Sequence, residues 1–269
     1  MRDTFGPFTK LRNLSDDVKV TSYFDDVFAR WDHEFSHEQT WDVTGYREVL
    51  GRTREALLDI GCGTGRLAFA LRGCYGEYIG IDRAAAPLEI FRQRLDGLAG
   101  EKVTLLEADV LGDFTCPAPV GTAVLGSVTV NSFATESAVR ALLTRLSEVS
   151  GPRLRVLVPV FAESVAPKFE RFNRIVDVLK HETEAGPCLV WRGMHYEPET
   201  RRILHNVFLE QRQTGWPGVL GIHVERLWSP GEITAIAESL GFESADRGPL
   251  YVADGGAEGW ECRLLVLTR

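Results

Sequence analysis

Between about residues 53 and 160, short apolar runs alternate with stretches whose apolar positions recur every three or four residues. The runs are Ala56–Ile60, Tyr78–Ile81, Val103–Leu106, Ala123–Leu125 and Leu154–Val160. Between them lie the stripes Leu67/Ala70/Leu71, Leu88/Phe91/Leu95/Leu98 and Val139/Leu142/Leu143/Leu146/Val149. Strands that alternate with amphipathic helices predict a parallel, doubly wound sheet. Pro87 suits a first helical turn, and Gly151-Pro152 suits a helix stop.

The flanks have a different texture. Residues 1–52 are polar and aromatic, with a helix predicted through Tyr23, Phe24, Val27, Phe28 and Trp31. In residues 161–228 a helix predicted over Pro167–Lys180 precedes three strand-like runs, Cys188–Tyr196, Ile203–Gln211 and Val219–Leu227. Glu197-Pro198-Glu199-Thr200 and Thr214-Gly215-Trp216-Pro217-Gly218 read as turns between them, so this zone is an antiparallel flap inserted after the fifth strand. Residues 229–269 return to the core. Ser229-Pro230-Gly231-Glu232 is a capping box with proline at the first helical position. Two final runs, near Phe242–Val252 and Glu261–Thr268, complete the sheet. The organisation expected is thus a helical cap (1–52), a core (53–160), a flap (161–228) and a closing helix with strands (229–269).

Composition narrows the class. At 44% hydrophobic and 25% charged, the 269 residues are those of an ordinary globular protein. No apolar run reaches the ~18 residues of a membrane span, and the first residues lack the apolar core of a secretory signal. The formal charge of −8 argues against a nucleic-acid partner. Cys62, Cys74, Cys116, Cys188 and Cys262 have no metal-ligand spacing, so no metal is expected, and free thiols suit the cytoplasm.

The chemistry begins at Leu57-Leu58-Asp59-Ile60-Gly61-Cys62-Gly63-Thr64-Gly65-Arg66-Leu67, a buried strand running through a glycine turn into a helix. Glycines there permit positive φ and close approach of a ligand, and the helix start offers unpaired N–H groups. A dinucleotide fingerprint requires glycine at position 66, which is arginine. A carboxylate at Asp59 repels a pyrophosphate but helps hold the ammonium of an amino-acid-bearing ligand. Asp82, ending the next strand, can accept both hydroxyls of a ribose. Asp109, ending the third, can accept from an adenine amine, with the Val110 backbone beside it. Amino acid, ribose and adenine are addressed in chain order, and nothing is assigned to phosphate.

On these residues the sequence resembles the class I S-adenosylmethionine (SAM)-dependent methyltransferases, over roughly 20–160 and 229–269. Leu58–Gly65 resembles the family's first motif, and Asp82 and Asp109 its second and third. The resemblance implies an α/β fold, a seven-stranded, mostly parallel Rossmann-like sheet with the flap inserted after strand 5. It implies SAM as cofactor, released as S-adenosylhomocysteine, with contacts from Asp59, Gly61, Gly63, Asp82, Asp109 and Val110; Gly65 and Arg83 adjoin these. It also implies a role for Gly126-Ser127-Val128, Ser127 above all, beside the methionine part. Asp26 to Trp31-Asp32 resembles the family's N-terminal capping segment, with Trp31 in place of tyrosine and Tyr23 as the substitute hydroxyl.

The acceptor belongs on the flap. At period two, His205 shares a face with Ile203, Val207 and Leu209, and His223 shares one with Glu225. A histidine oriented by a carboxylate is a proton acceptor near neutral pH. Trp191, Tyr196, Phe161, Phe133 and Trp216 are candidates for an aromatic pocket, and Asn131 follows the fourth strand where the methyl group emerges. Val130-Asn131-Ser132-Phe133 lacks both prolines of the tetrad found in DNA and glutamine amino-methyltransferases. The flap and Ile222–Pro230 resemble bacterial amino-sugar N-methyltransferases of secondary metabolism. The reading expected is methyl transfer to a nitrogen, or an oxygen, of a small molecule by a monomer or homodimer. The alternatives are a protein or RNA methyltransferase, and a non-catalytic SAM-binding regulatory protein.

Overall fold

The computed structural model describes residues 3–14, 18–24, 28–30, 32–33, 37–183, 186–210, 218–252 and 259–269. Helix α1 (Gly6–Leu14), strand β1 (Lys19–Ser22) and helix α2 (Val43–Leu50) lead into the alternating region. There β2 (Ala56–Ile60), α3 (Arg66–Ala70), β3 (Glu77–Asp82), α4 (Ala85–Gln93), β4 (Val103–Glu107), β5 (Val120–Val124), α5 (Glu136–Val149) and β6 (Ser150–Phe161) follow in turn. Next come α6 (Ala166–Arg171) and the strands β7 (Val176–Thr183), β8 (Gly186–Glu197), β9 (Arg202–Glu210) and β10 (Val219–Arg226). Helix α7 (Pro230–Ser239), β11 (Glu243–Val252) and β12 (Trp260–Thr268) end the chain. No described helix is long and apolar enough to cross a membrane.

The larger sheet has seven strands in the order β11-β12-β6-β5-β2-β3-β4. Strands β2 to β6 pair in parallel, and β12 runs antiparallel to both of its neighbours. Strands β2 and β5 are buried along their whole length, Asp59 and Thr122 included, as suits the middle of a sheet covered on both faces. One face packs on α5 and α7 through Leu142, Leu146, Trp228, Ile233 and Ile236. The other packs on α2 to α4 through Tyr46, Leu67, Leu88 and Phe91. Successive strands run outward from β2 to β4, and the chain then returns to place β5 on the other side of β2. That reversal opens a crevice at the carboxyl ends of β2 and β5, where open α/β sheets bind ligands. The capping box of α7 forms in both directions: Ser229 Oγ accepts from Glu232 N, and Glu232 Oε2 accepts from Ser229 N.

The second sheet, of five strands, has the order β1-β10-β9-β8-β7. Two expectations change here. The helix expected over Pro167–Lys180 stops at Arg171, and Val176–Thr183 is a fourth flap strand. The Asn173 side chain bonds both the N–H and the C=O of Tyr196 on β8, and Arg174 turns the chain at φ 61°. The following Val-Asp-Val-Leu then pairs along β8, where β-branched residues gain more than in a helix. The N-terminal zone also does more than cap. Strand β1 adds to β10 in parallel, while Phe5 and Phe8 of the N-terminal segment cover Phe208 and Leu220 on the sheet's outer face. The helix expected through Tyr23 begins later. Tyr23 and Phe24 form a turn, Phe28–Arg30 are helical, and Val27 and Trp31 lie outside the described residues, as does Trp216.

Candidate functional site

The crevice at the carboxyl ends of β2 and β5 opens into one cleft of about 990 Å³, bounded on its far side by the flap. Its floor is the glycine turn. The N–H groups of Gly61 and Cys62 donate to Ile81 O at 2.8 and 3.1 Å, which ties the turn to β3. Asp82, the last residue of β3, accepts from Gly63 N and from Ala84 N, each at 2.9 Å. One carboxylate therefore shapes the turn and also lines the cleft. Gly63 has φ 54° and open space where a Cβ would stand, so a ligand can lie against its backbone.

Gly65 has a different task. At φ 88° it caps α3, and a Cβ there would lie 2.5 Å from the Phe91 ring. It does not line the cleft; it lets α3 pack on α4, which corrects its assignment as a ligand contact.

Asp59 is 2% exposed and lines the cleft beneath the turn. Its Oδ2 accepts a short hydrogen bond from the Tyr78 hydroxyl. Burial pushes its carboxyl up to about 7, against the opposing pull of Tyr78 and Arg66. Val110 lines the cleft and is buried, whereas Asp109 and Arg83 sit at its exposed rim. Asp109 Oδ1 accepts from Leu111 N at 2.9 Å.

A buried network that the chain's local pattern did not suggest completes this half. Asp42 accepts from both terminal nitrogens of Arg66 at 2.7 Å, and from Ser127 N at 2.9 Å. Ser127 stands at φ 56°, a costly conformation for a residue with a Cβ, and the Asp42 bond holds it there. Arg66 also reaches Ser127 Oγ at 3.3 Å. The one hint in the sequence is the arginine at position 66, where a glycine fingerprint fails.

The donor set fits SAM. Acidic groups at the ends of three consecutive strands suit an ammonium, a ribose and an adenine amine. The arginine nearest the turn, Arg66, is already neutralised by Asp42 and is not free to hold a phosphate. Tyr23 lines the opposite wall, with its hydroxyl donating to Asp32 at 3.2 Å.

At the flap end, β9 and β10 place His205 and His223 directly opposite each other. Glu225 bridges them: its Oε2 lies 3.1 Å from His205 Nε2 and its Oε1 lies 3.0 Å from His223 Nε2. His223 Nε2 also lies 3.3 Å from Ser132 Oγ. Burial raises the Glu225 carboxyl, but the two imidazoles win and hold it far below the usual carboxylate range. Phe24 meets the His223 ring edge-on at 4.7 Å. The sequence pairs His223 with Glu225; the structure adds His205 and Ser132.

Three substrate candidates do not line the cleft. Asn131 is fully buried in the 3-10 turn Thr129–Ser132, which turns Thr129 and Ser132 outward in its place. Trp191 faces the other side of β8, against the aromatic cluster beneath α1. Tyr196 is packed among Phe169, Ile203 and Leu227. Phe133 does line the cleft, and its carbonyl accepts from Trp228 Nε1 at 3.0 Å.

Residues 57–152 match a family model described as a methyltransferase domain. No curated protein sequence matches the chain. Among solved structures, the chain is similar to the CcbJ methyltransferase of Streptomyces caelestis at 15% identity, over 94% of this chain and 98% of that one, with a TM-score of 0.65. It is also similar to SAM-bound CalS10, an amino pentose methyltransferase from Micromonospora echinaspora, at 20% identity, over 89% and 96% of the two chains, with a TM-score of 0.57. The sugar N-methyltransferase KedS8 of a Streptoalloteichus species resembles it at 19% identity, over 91% and 92%, with a TM-score of 0.60. At these identities the likeness is one of fold.

Proposed function

We propose that this chain is a SAM-dependent methyltransferase that methylates an amine nitrogen of a small molecule, with the His223–Glu225–His205 cluster taking the amine's proton. The observation that carries the reading is the Glu225 carboxylate between two imidazoles, in the same cleft as the glycine turn and Asp82. Bound SAM supplies a methyl group on a sulfonium, an electrophile that needs no acid to activate it.

The chain's work is therefore to hold, desolvate and deprotonate. Asp59, Gly61, Gly63, Asp82, Asp109, Val110 and Ser127 would hold the cofactor, with Arg83 and Tyr23 at the margins. An amine is protonated and unreactive at neutral pH until a base removes its proton. Glu225 is held ionised by its neighbours. When each Nε2–H donates to it, each Nδ1 lone pair is left as acceptor, and the imidazolium formed is stabilised by the carboxylate. Glu225, ionised at the flap end of the cleft, attracts the ammonium form of an amine, which favours nitrogen over oxygen as acceptor. The names of CalS10 and KedS8, which act on an amino pentose and on a sugar nitrogen, agree with a small amine as acceptor.

Two measurements test this. Calorimetric titration with S-adenosylhomocysteine is expected to show micromolar binding, with none for NAD. Replacing His223 by Ala is expected to lower kcat about a hundredfold with that binding unchanged. Unchanged turnover in the variant would remove His223 from the chemistry.

A further inference from the structure

Asp42 is fully buried and does not itself line the cleft, yet its bonds end on residues that do. It is the N-cap residue of α2, where an aspartate ordinarily accepts from the helix's own first N–H groups; here it makes no such bond. Its carboxylate instead accepts from Arg66 Nη1 and Nη2 and from Ser127 N, and both residues line the cleft. Tyr46, one turn along α2 and also fully buried, donates its hydroxyl to Leu125 O at 3.3 Å. Helix α2 thus grips the chain just after β5 at two points. Arg66 adds a tie to Gln39 O at 2.8 Å, and Gln39 lines the cleft as well.

The gripped segment is a wall of the cleft. Gly126, Ser127, Val128 and Thr129 all line it, across from the glycine turn. The fit between wall and turn is close. A Cβ on Gly61 would lie 3.1 Å from Thr129 Cγ2, and one on Gly126 would lie 2.8 Å from Leu67 Cδ1. Thr129 closes the wall on itself, its N and Oγ1 donating to Gly126 O at 3.2 and 2.6 Å. The bond from Ser127 N to Asp42 fixes where this closed turn stands.

Stability does not account for the arrangement. A buried Asp–Arg pair gains little over well-packed apolar residues of similar volume. Ser127 stands at φ 56°, a left-handed conformation that disfavours any residue with a Cβ and that glycine would adopt without strain. A buried ion pair and a strained residue meet at one wall of a ligand cleft. Strain of that kind is kept where the geometry it produces is used.

We infer that Asp42 is a positioning residue for the cofactor: by accepting from Ser127 N it holds Ser127 left-handed, and so sets the wall that SAM lies against opposite the glycine turn. The inference rests on the reading that this cleft binds SAM. Arg66 fixes the carboxylate in turn, through a planar two-point pairing that lysine could not reproduce.

Calorimetry with S-adenosylhomocysteine on the full chain, well below the melting temperature of each variant, tests the inference. Asp42→Ala frees Ser127 to relax, and binding is expected to weaken about tenfold, as the cost of a left-handed serine (about 1.4 kcal/mol) implies. Glycine takes that conformation freely, so in a Ser127→Gly background the same substitution is expected to weaken binding less than about twofold. Should the bared guanidinium unfold Asp42→Ala, Arg66→Met beside it removes both charges, and the two backgrounds are compared there. Normal affinity in the folded Asp42→Ala variant would overturn the inference. So would an equal loss in both backgrounds, which would trace the effect to the Arg66 charge. No acceptor enters the titration, so its outcome does not depend on which atom is methylated. If the unsubstituted chain binds no S-adenosylhomocysteine, the cofactor reading fails and takes this inference with it. If the chain binds it and glycine restores nothing, this inference alone fails.

Discussion

Asp59 shows how one buried group acquires a pH-dependent task. In an exposed loop its carboxyl would be ionised at neutral pH; here burial pushes it up to about 7. A folded-state value above the unfolded one means the stability held by the protonated form is complete at acid pH. It is lost as pH rises through 7. A cation bound alongside favours the carboxylate, so binding of a cofactor ammonium releases this proton. Affinity for S-adenosylhomocysteine is then expected to rise about tenfold between pH 6 and pH 8, given a free-protein value about 7. The comparison is made by calorimetry at the two pH values, and Asp59→Asn is expected to flatten the profile. A flat profile in the unsubstituted protein would mean that no cation binds beside Asp59.

At the scale of elements, the turn from β2 into α3 shows what a motif leaves undecided. All three glycines read alike along the chain, yet Gly63 opens onto the cleft and Gly65 packs under Phe91. Gly65→Ala combines a left-handed conformation with a ring overlap, and is expected to cost about 2–4 kcal/mol of stability. Denaturant melts should register it, and cofactor binding should weaken with it because the helix start moves. The strand β7 carries the complementary lesson. Val176–Thr183 has no helix stop before it apart from Asn173 and Arg174, whose part depends on the neighbouring strand β8. An apolar-polar run next to a helical stripe extends the helix on paper; an available sheet edge makes it a strand.

At the scale of the molecule, the two sheets divide the work. The parallel sheet contributes the half of the cleft that carries the glycine turn and Asp82, and the antiparallel sheet the half that carries the histidines. The outer face of the latter depends on the N-terminal segment, because Phe5, Phe8 and Val18 cover Phe208 and Leu220 there, and Phe5 N bonds the buried Asn206 side chain. Removing residues 1–22 uncovers that face and the β10 edge. Amide hydrogen exchange in β8 to β10 is expected to quicken, and methyl transfer to fail. S-adenosylhomocysteine binding to the parallel core is expected to persist. Unaltered exchange in those strands would show the segment to be dispensable.

What the chain determines by itself is whatever its neighbours in sequence can settle. Alternating apolar runs imply the doubly wound core, strand ends supply Asp59, Asp82 and Asp109, and the capping box starts α7. Period two puts His223 and Glu225 on one face of β10. These follow from backbone geometry within a few residues. Tertiary structure alone decided which distant groups share a charge. Asp42 meets Arg66 across 24 positions and Ser127 across 85, and His205 joins Glu225 across 20. Sheet register, with His205 opposite His223, brings the second imidazole in. It also sends Trp191 outward. Such pairings depend on long-range register and on the burial that makes an unpaired charge costly, and neither is written in a local pattern.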